Sequence, residues 1–267
     1  MLFRSGETLA ELRSRTRKIK KRLAAIGCEV NESKSEYEKT SLLFLGMWVF
    51  ATGIGPNVQK VRDLTLIPAP TTKADMQSAL GLVSYLRDFS PLVSHFTASL
   101  YPKGGDVLLD AKSVHEEWTK LQKHLASAIT TLRHWREDLD ADLYADASGH
   151  GIGLILIQDR KVVALASRKL SPAESRYSAT DREHLALVYA AKKFKVFLHR
   201  SQAETRVWSD HAALLSRKSN ELTPRQARWQ SITQCWMPLV KHVAGKRNPA
   251  DYISRWGLEI FGGAVKL

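Results

Sequence analysis

A chain of 267 residues, 44% of them hydrophobic, is long enough for one large domain or two modest ones with real cores. Forty Lys and Arg against 27 Asp and Glu give a formal net charge of +13, which points to a polyanionic partner but names no activity by itself. No run of about 18 apolar residues reads as a membrane span, the N-terminus lacks a secretory signal pattern, and Cys28 and Cys235 make neither a disulfide framework nor a zinc set, so an intracellular protein, cytoplasmic or nuclear and without a membrane partner, is expected.

From the beginning of the chain, Leu9, Leu12, Ile19, Leu23 and Ile26 recur at roughly helical spacing and stop at Gly27. The outer face of this helix carries Arg13, Arg15, Arg17, Lys18, Lys20, Lys21 and Arg22. So many like charges repel one another unless phosphates neutralise them, although a merely solvated face has the same composition. Ser41 to Phe50 reads as a short hairpin closed by Gly46, with Gly53-Ile-Gly-Pro56 ending it, and this small sheet is expected to pack under the basic helix. Pro68-Ala-Pro70 is a rigid break before a helix that starts at Thr71 to Asp75 and contains Met76, Leu80, Leu82, Val83 and Leu86. An apolar segment from Phe89 to Leu100 leads to the flexible seam Tyr101-Pro-Lys-Gly-Gly-Asp106. Val114 to Leu132 then carries Trp118, Leu121, Leu125, Ile129 and Leu132 on one helical stripe. The resulting division is a first region at 1–105, a helical bridge at 106–138 and a second domain at 139–267.

In that second domain, strands are expected near 140–147, 152–158 and 161–168, then a helix from Thr180 to about His199. A strand at Thr205 to Ser209 follows, with helices near His211 and from Pro224 to Trp236, a strand at Leu239 to Val243 and a last helix from Asn248. Three strands in meander followed by alternating helix and strand indicate an α/β fold with a mixed sheet flanked by helices.

Four acids fall at the ends or faces of these elements. Asp146 sits in Leu143-Tyr-Ala-Asp-Ala-Ser-Gly-His-Gly-Ile-Gly, near a strand end before a tight reversal, where Asp is also ordinary turn chemistry. Glu183 lies on the same helical side as Leu187 and Ala190 and so faces inward, where a carboxylate needs a partner. Asp210 ends its strand as Asp146 does. Asp251 begins the last helix, where an acid is equally a helix-start residue. Drawn together, four carboxylates raise one another's pKa values unless cations neutralise them. Hard oxygen ligands select Mg²⁺ or Mn²⁺, and two such ions about 4 Å apart activate a water and stabilise the leaving oxygen in phosphodiester cleavage.

Longer motifs carry a resemblance. Tyr144-Ala-Asp-Ala-Ser-Gly-His-Gly-Ile-Gly, the segment 166–177, Asp181-Arg-Glu-His-Leu-Ala-Leu-Val, Ser209-Asp-His211, Arg225 to Trp229 and Gly245-Lys-Arg-Asn-Pro-Ala-Asp-Tyr-Ile-Ser-Arg255 closely resemble the RNase H domain of gypsy-class LTR-retrotransposon polyproteins. In the first half, Phe44-Leu-Gly-Met, Gly53-Ile-Gly-Pro, Pro68-Ala-Pro-Thr-Thr-Lys and Leu80-Gly-Leu-Val-Ser-Tyr-Leu-Arg-Asp-Phe look like the end of the reverse-transcriptase palm, then its thumb and connection. The resemblance implies an RNase H-like domain preceded by a smaller α+β region, with Asp146, Glu183, Asp210 and Asp251 as metal-binding acids and His242 at an auxiliary catalytic position. Lys246 and Arg247, inside the last motif, join the basic helix as expected nucleic-acid contacts. Two differences stand beside it: the family's Tyr-x-Asp-Asp polymerase box is not found, and the loop before Asp251 is about one residue shorter than the usual pattern.

The expected function is therefore a retrotransposon-derived endonuclease that cuts the RNA strand of RNA·DNA hybrids with two Mg²⁺ or Mn²⁺ ions and has no polymerase activity of its own. The alternatives are a non-catalytic nucleic-acid-binding or scaffold relic, and one subunit of a split reverse transcriptase completed by a partner that supplies palm and fingers.

Overall fold

The computed structural model describes residues 6, 8–90, 92–101, 111–127, 129–211, 222–234 and 240–255. The seam expected at 102–106, the helix expected after His211 and the chain after Arg255 lie outside them. No helix among the described residues is long and apolar enough to cross a membrane.

Helix α1 (Leu9–Ala25) begins as its sequence requires, with the Thr8 side chain accepting from the Glu11 N–H at 3.2 Å, and the chain turns at Gly27 with φ +74°. The expectation that a sheet packs under it is not met, because none of its residues is buried. Its ties are polar and run to the segment that follows it: Arg13 to Glu38 and Lys20 to Glu32, both at 2.7 Å, with Lys20 also 4.4 Å above the Tyr37 ring. Strands β1 (Ser41–Phe44) and β2 (Met47–Phe50) form the expected hairpin, whose two-residue turn has Leu45 and Gly46 at φ 51° and 82°. The Gly53-Ile-Gly-Pro56 segment is more than its end. It is a third strand, β3 (Gly53–Pro56), and β4 (Leu132–Arg133) joins it to complete a sheet of order β1-β2-β3-β4.

Helix α2 (Val58–Leu66) is absent from the sequence reading, although Asn57, which accepts from the Gln59 N–H at 2.9 Å, is an ordinary start signal. It packs with α3 (Lys73–Ser84), α4 (Val93–Ala98) and α5 (Ala111–Ser127). In α3 the buried positions Met76, Ala79, Leu80 and Val83 keep helical spacing, whereas Leu82 falls off that stripe and is 55% exposed, contrary to expectation. The α5 stripe of Val114, Trp118, Leu121 and Leu125 is core, but it is buried with Leu64, Met76, Leu80 and Leu86 in the first half rather than bridging away from it. Trp118 Nε1 and Gln122 Nε2 both donate to the Ile67 carbonyl, at 2.9 and 2.7 Å. The helix stops at Ser127, so Leu132, read as its last stripe position, is in β4.

The second half follows the expected order: β5 (Ala141–Ala147), β6 (Gly151–Gln158), β7 (Lys161–Lys169), α6 (Ala179–Lys193), α7 (Lys195–Arg200), β8 (Thr205–Ser209), α8 (Pro224–Thr233), β9 (Val240–His242) and α9 (Pro249–Ser254). The helix expected to run unbroken to His199 is two, interrupted at buried Phe194. The sheet is mixed, in order β7-β6-β5-β8-β9, antiparallel from β7 to β5 and parallel from β5 to β9. Strand alternation sends Leu143, Ala145, Ile152 and Leu154 to one face, against Ala186, Leu187 and Ala190 of α6. The other face carries Ile155, which joins Phe89, Leu132 and Ile253 in a cluster shared by both halves of the chain.

On this second face α9 lies directly on β6. A Cβ at Gly153 would meet the Ala250 carbonyl oxygen at 2.5 Å and the Ser254 nitrogen at 2.7 Å, so only glycine lets the two backbones approach. Gly153→Ala is expected to force α9 outward and cost about 1–3 kcal/mol, read as a lower thermal midpoint by circular dichroism. Gly81→Ala, in α3 with open space around the new methyl, is expected to do the opposite and add about 0.5–1 kcal/mol.

Candidate metal centre

Strands β5 and β8 are parallel neighbours, and each brings an acid to its carboxyl end: Asp146 is the next-to-last residue of β5, and Asp210 follows the last residue of β8. That end of an open α/β sheet is where backbone geometry leaves a crevice. Glu183 reaches the same point from α6. One carboxylate oxygen from each of Asp146, Glu183 and Asp210 lies within 4.8 Å of the others. Asp146 and Glu183 are only 4% and 7% exposed, while Asp210 is half-buried, so the group meets solvent on the Asp210 side.

Two fixed donors shape this group. The Ala147 N–H donates to Glu183 Oε1 at 3.2 Å, and the Ser254 hydroxyl of α9 donates to Asp146 Oδ2. Glu183 Oε2 is buried with no hydrogen-bond partner among the described residues. Burial pushes the Asp146 carboxyl up to about 7, against the Ser254 hydrogen bond and aided by the charges of Asp210 and Asp251. Burial likewise pushes Glu183 up to about 9, with Asp146 and Asp210 adding to it. A buried, partnerless oxygen beside two further carboxylates suits a hard divalent cation such as Mg²⁺ or Mn²⁺, which all three acids would hold.

The remaining expected residues are placed differently. Asp251 adds to the negative field at Asp146 but is not a member of the three-acid group; Arg255, one turn on, donates to its Oδ1 at 2.5 Å. His242 ends β9 in register with Ser209 and is exposed outside the group. Lys246 and Arg247 are exposed on a single 3₁₀ turn whose Gly245 abuts the site, a Cβ there being 3.0 Å from Asp210 Oδ2. Along α1, Arg13, Arg15 and Lys20 are paired to Glu38, Glu11 and Glu32. Arg17, Lys18, Lys21 and Arg22 are exposed, have no acid partner among the described residues, and share one face by their i, i+4 spacing.

Several motif residues hold the site without entering it. Arg168 grips Glu174 with two hydrogen bonds, at 2.8 and 3.0 Å, and so ties the loop after β7. Asp181 accepts from Gln226 at 2.5 Å and Arg225 at 2.8 Å, and Arg225 lies 4.0 Å above the Tyr177 ring, which fastens α8 to the helix that carries Glu183. The sequence reading missed Ser254, the Ala147 N–H and Gly153. Only the last had a local signal, since alternate glycines at 151 and 153 inside a strand mark a close approach.

Residues 136–236 match the family model described as the RNase H-like domain found in reverse transcriptase. This region is a reverse-transcriptase RNase H-like domain. The chain is 30% identical over 244 residues to the Retrovirus-related Pol polyprotein from transposon gypsy of Drosophila melanogaster, a match over 86% of this chain and 24% of that protein. It is 29% identical over 242 residues to the Transposon Tf2-3 polyprotein of Schizosaccharomyces pombe, covering 85% of this chain and 18% of the relative. The chain thus spans about a quarter or less of these Pol polyproteins from LTR retrotransposons. Among solved structures, a foamy viral protease-reverse transcriptase in complex with RNA/DNA hybrid superposes with a TM-score of 0.74 at 20% identity, over 98% of this chain and 36% of that one. A foamy viral protease-reverse transcriptase dRH in complex with double-stranded DNA gives 0.72 at 20% identity, over 90% and 44%. The fold is therefore shared from the helical half through the RNase H-like domain. Asp146, Glu183 and Asp210 fall inside the matched region; Asp251 and Ser254 lie beyond it, on a helix packed against it.

The raised carboxyls fix the sign of a pH effect in the metal-free protein. An acid whose folded pKa lies above its unfolded value stabilises the fold only while protonated, fully below the unfolded value and no longer once pH passes the folded one. Asp146 and Glu183 therefore make the protein lose stability as pH rises from about 4 to about 9. In EDTA, thermal midpoints measured across that range are expected to fall for wild type, and to fall less for Asp146→Asn and Glu183→Gln.

Proposed function

We propose that this RNase H-like domain is a metal-dependent endonuclease that cleaves the RNA strand of RNA·DNA hybrids. The observation that carries the reading is the set of three converging carboxylates with the partnerless Glu183 Oε2 among them. The family of the domain and the hybrid held by the foamy viral neighbour support the substrate.

Asp146, Glu183 and Asp210 would hold the cations, and the Ala147 N–H keeps Glu183 turned toward the other two acids. When bound there, divalent ions would supply a water of lowered pKa and charge stabilisation for the leaving oxygen. Lys246 and Arg247 stand beside the site to meet phosphates, and the Arg17, Lys18, Lys21 and Arg22 face of α1 follows the backbone of the hybrid further off. The wide, shallow minor groove and the 2′-hydroxyls of an A-form-like duplex favour a hybrid over duplex DNA. Because α1 buries none of its residues, we further infer that a reverse-transcriptase palm, from the same polyprotein or from a separate subunit, covers it. Asp251, paired with Arg255 and outside the three-acid group, favours the competing reading of a non-catalytic scaffold.

A cleavage assay on an RNA·DNA hybrid, with and without Mg²⁺ or Mn²⁺, decides between them. Asp146→Asn removes a ligand charge without removing volume, so it is expected to leave folding and hybrid binding largely intact and to abolish cleavage. Wild-type protein that is folded, supplied with metal and no faster than this variant would leave the scaffold reading standing. Hybrid affinity is expected to fall steeply with salt. Neutralising Arg17, Lys18, Lys21 and Arg22 together is expected to flatten the log–log slope by roughly 0.7–0.9 for each phosphate that the helix no longer neutralises, and an unchanged slope would make α1 a solvated face.

A further inference from the structure

We propose that Ser254 is a positioning residue for the metal centre, its buried hydroxyl setting the orientation in which Asp146 presents its carboxylate to a divalent cation. The inference rests on the metal-dependent reading above and adds a residue from outside the matched domain.

Ser254 is wholly buried, and it is pinned from more than one side. Asn248 opens α9 by accepting from the Ala250 N–H at 3.1 Å while its own Nδ2 donates to the Ala145 carbonyl at 3.2 Å, which ties the helix start to β5 one residue before Asp146. At the other end of α9 the Ser148 hydroxyl donates to the Ser254 carbonyl at 2.6 Å. Between these ties, Gly153, directly across from Asp146 in the β5–β6 register, leaves room for the helix backbone to descend onto the sheet. The Ser254 side chain is thereby delivered to Asp146 Oδ2 by three separate contacts.

A serine near a helix end commonly turns its hydroxyl back to the carbonyl one turn earlier, and Ser254 Oγ does lie 3.1 Å from the Asp251 carbonyl. A hydroxyl has one proton, however. Of its two acceptors, Asp146 Oδ2 and the Asp251 carbonyl, the first is a carboxylate, and a hydrogen bond to an ionised carboxylate is roughly twice as strong as one to a neutral acceptor. Once a cation holds Asp146 ionised, the proton belongs on Oδ2, and rotation of the carboxylate about its Cβ–Cγ bond is fixed. Ala147 does the same for Glu183 from the backbone, so each of the two buried acids has one fixed donor. Donors of this kind around a ligating group orient it, and their removal typically lowers metal affinity by 10–100-fold.

The test uses the full chain and Mn²⁺ as the probe. Mn²⁺ affinity is measured by titration calorimetry for wild type, Ser254→Ala and Ser148→Ala, together with the Mn²⁺ dependence of hybrid cleavage and hybrid affinity in metal-free buffer. Ser254→Ala is expected to weaken Mn²⁺ binding about tenfold or more and to raise the half-saturating Mn²⁺ for cleavage by a similar factor, with hybrid affinity unchanged. Ser148→Ala removes one of the ties that seat the same helix but keeps the Ser254 hydroxyl, so it is expected to lower the thermal midpoint and to weaken Mn²⁺ binding by clearly less than Ser254→Ala does. Wild-type Mn²⁺ affinity in Ser254→Ala overturns the proposal, as does an equal loss in both variants, which would make α9 packing the cause. Wild-type protein that binds no Mn²⁺ and cleaves no hybrid overturns the nuclease reading itself.

Discussion

Carboxylates packed within 4.8 Å of one another, two of them on buried residues, repel each other unless a proton or a cation sits among them, and that repulsion is the constraint the second half of the chain is built to withstand. The sheet supplies Asp146 and Asp210 from parallel strands whose ends lie side by side. Helix α6, packed on one face through Ala186, Leu187 and Ala190, delivers Glu183, and α9, seated on the other face over Gly153, delivers the hydroxyl that reaches Asp146. The acids are thus held by elements on both faces of the sheet. Helix α6 swinging outward would separate Glu183 from the other acids and α9 doing so would strip Asp146 of its donor, so the contacts that prevent both matter most: Asp181 to Arg225 and Gln226, and Asn248 to Ala145 and Ser148 to Ser254.

The helical half bears on the site through packing. Phe89 and Leu132 from the first half share a buried cluster with Ile155, Val162, Leu165 and Ile253, the last from α9 itself. The helix beneath which the acid-bearing strand ends are braced is therefore wedged between the sheet and the first half of the chain. Because α5 buries its stripe with α2 and α3, the first half has a core of its own and presents a firm surface to that cluster. The exception is α1, whose apolar residues stay at least partly exposed and whose partners are acids rather than a core. Pairing Arg13, Arg15 and Lys20 to nearby acids thins a crowded basic helix to a four-residue face, which is a narrower footprint for a polyanion than the composition alone implies.

Much of this was legible in the residue order. The meander of β5 to β7, the inward turn of Glu183 beside Leu187 and Ala190, and the strand-end positions of Asp146 and Asp210 all follow from periodicity, because alternation in a strand and the 3.6-residue turn of a helix decide which way a side chain points. The start of α1 at Thr8 and of α3 at Thr72 follow from capping chemistry. The misreadings occurred where burial depends on distant neighbours. Leu82 is apolar yet off the buried stripe; Leu132 continues the period of α5 yet pairs with Ile54 in β3; Gly53 to Pro56 has the look of a hairpin's end, yet it pairs with β2 on one side and with β4, far along the chain, on the other.

The sequence by itself determined the mixed α/β order, the charge that calls for a polyanion, and the strand-end positions of Asp146 and Asp210 and the inward face of Glu183 among four candidate acids, since each rests on short-range rules of backbone and side-chain geometry. Tertiary structure alone decided that Asp146, Glu183 and Asp210 converge while Asp251 pairs with Arg255, that Glu183 Oε2 has no partner among the described residues, and that Ser254 is the residue placed on Asp146. The physical reason is the same in each case: desolvation and hydrogen-bond geometry at a point in space depend on which distant backbones can approach it, and here the approach of α9 turns on the missing side chain of Gly153.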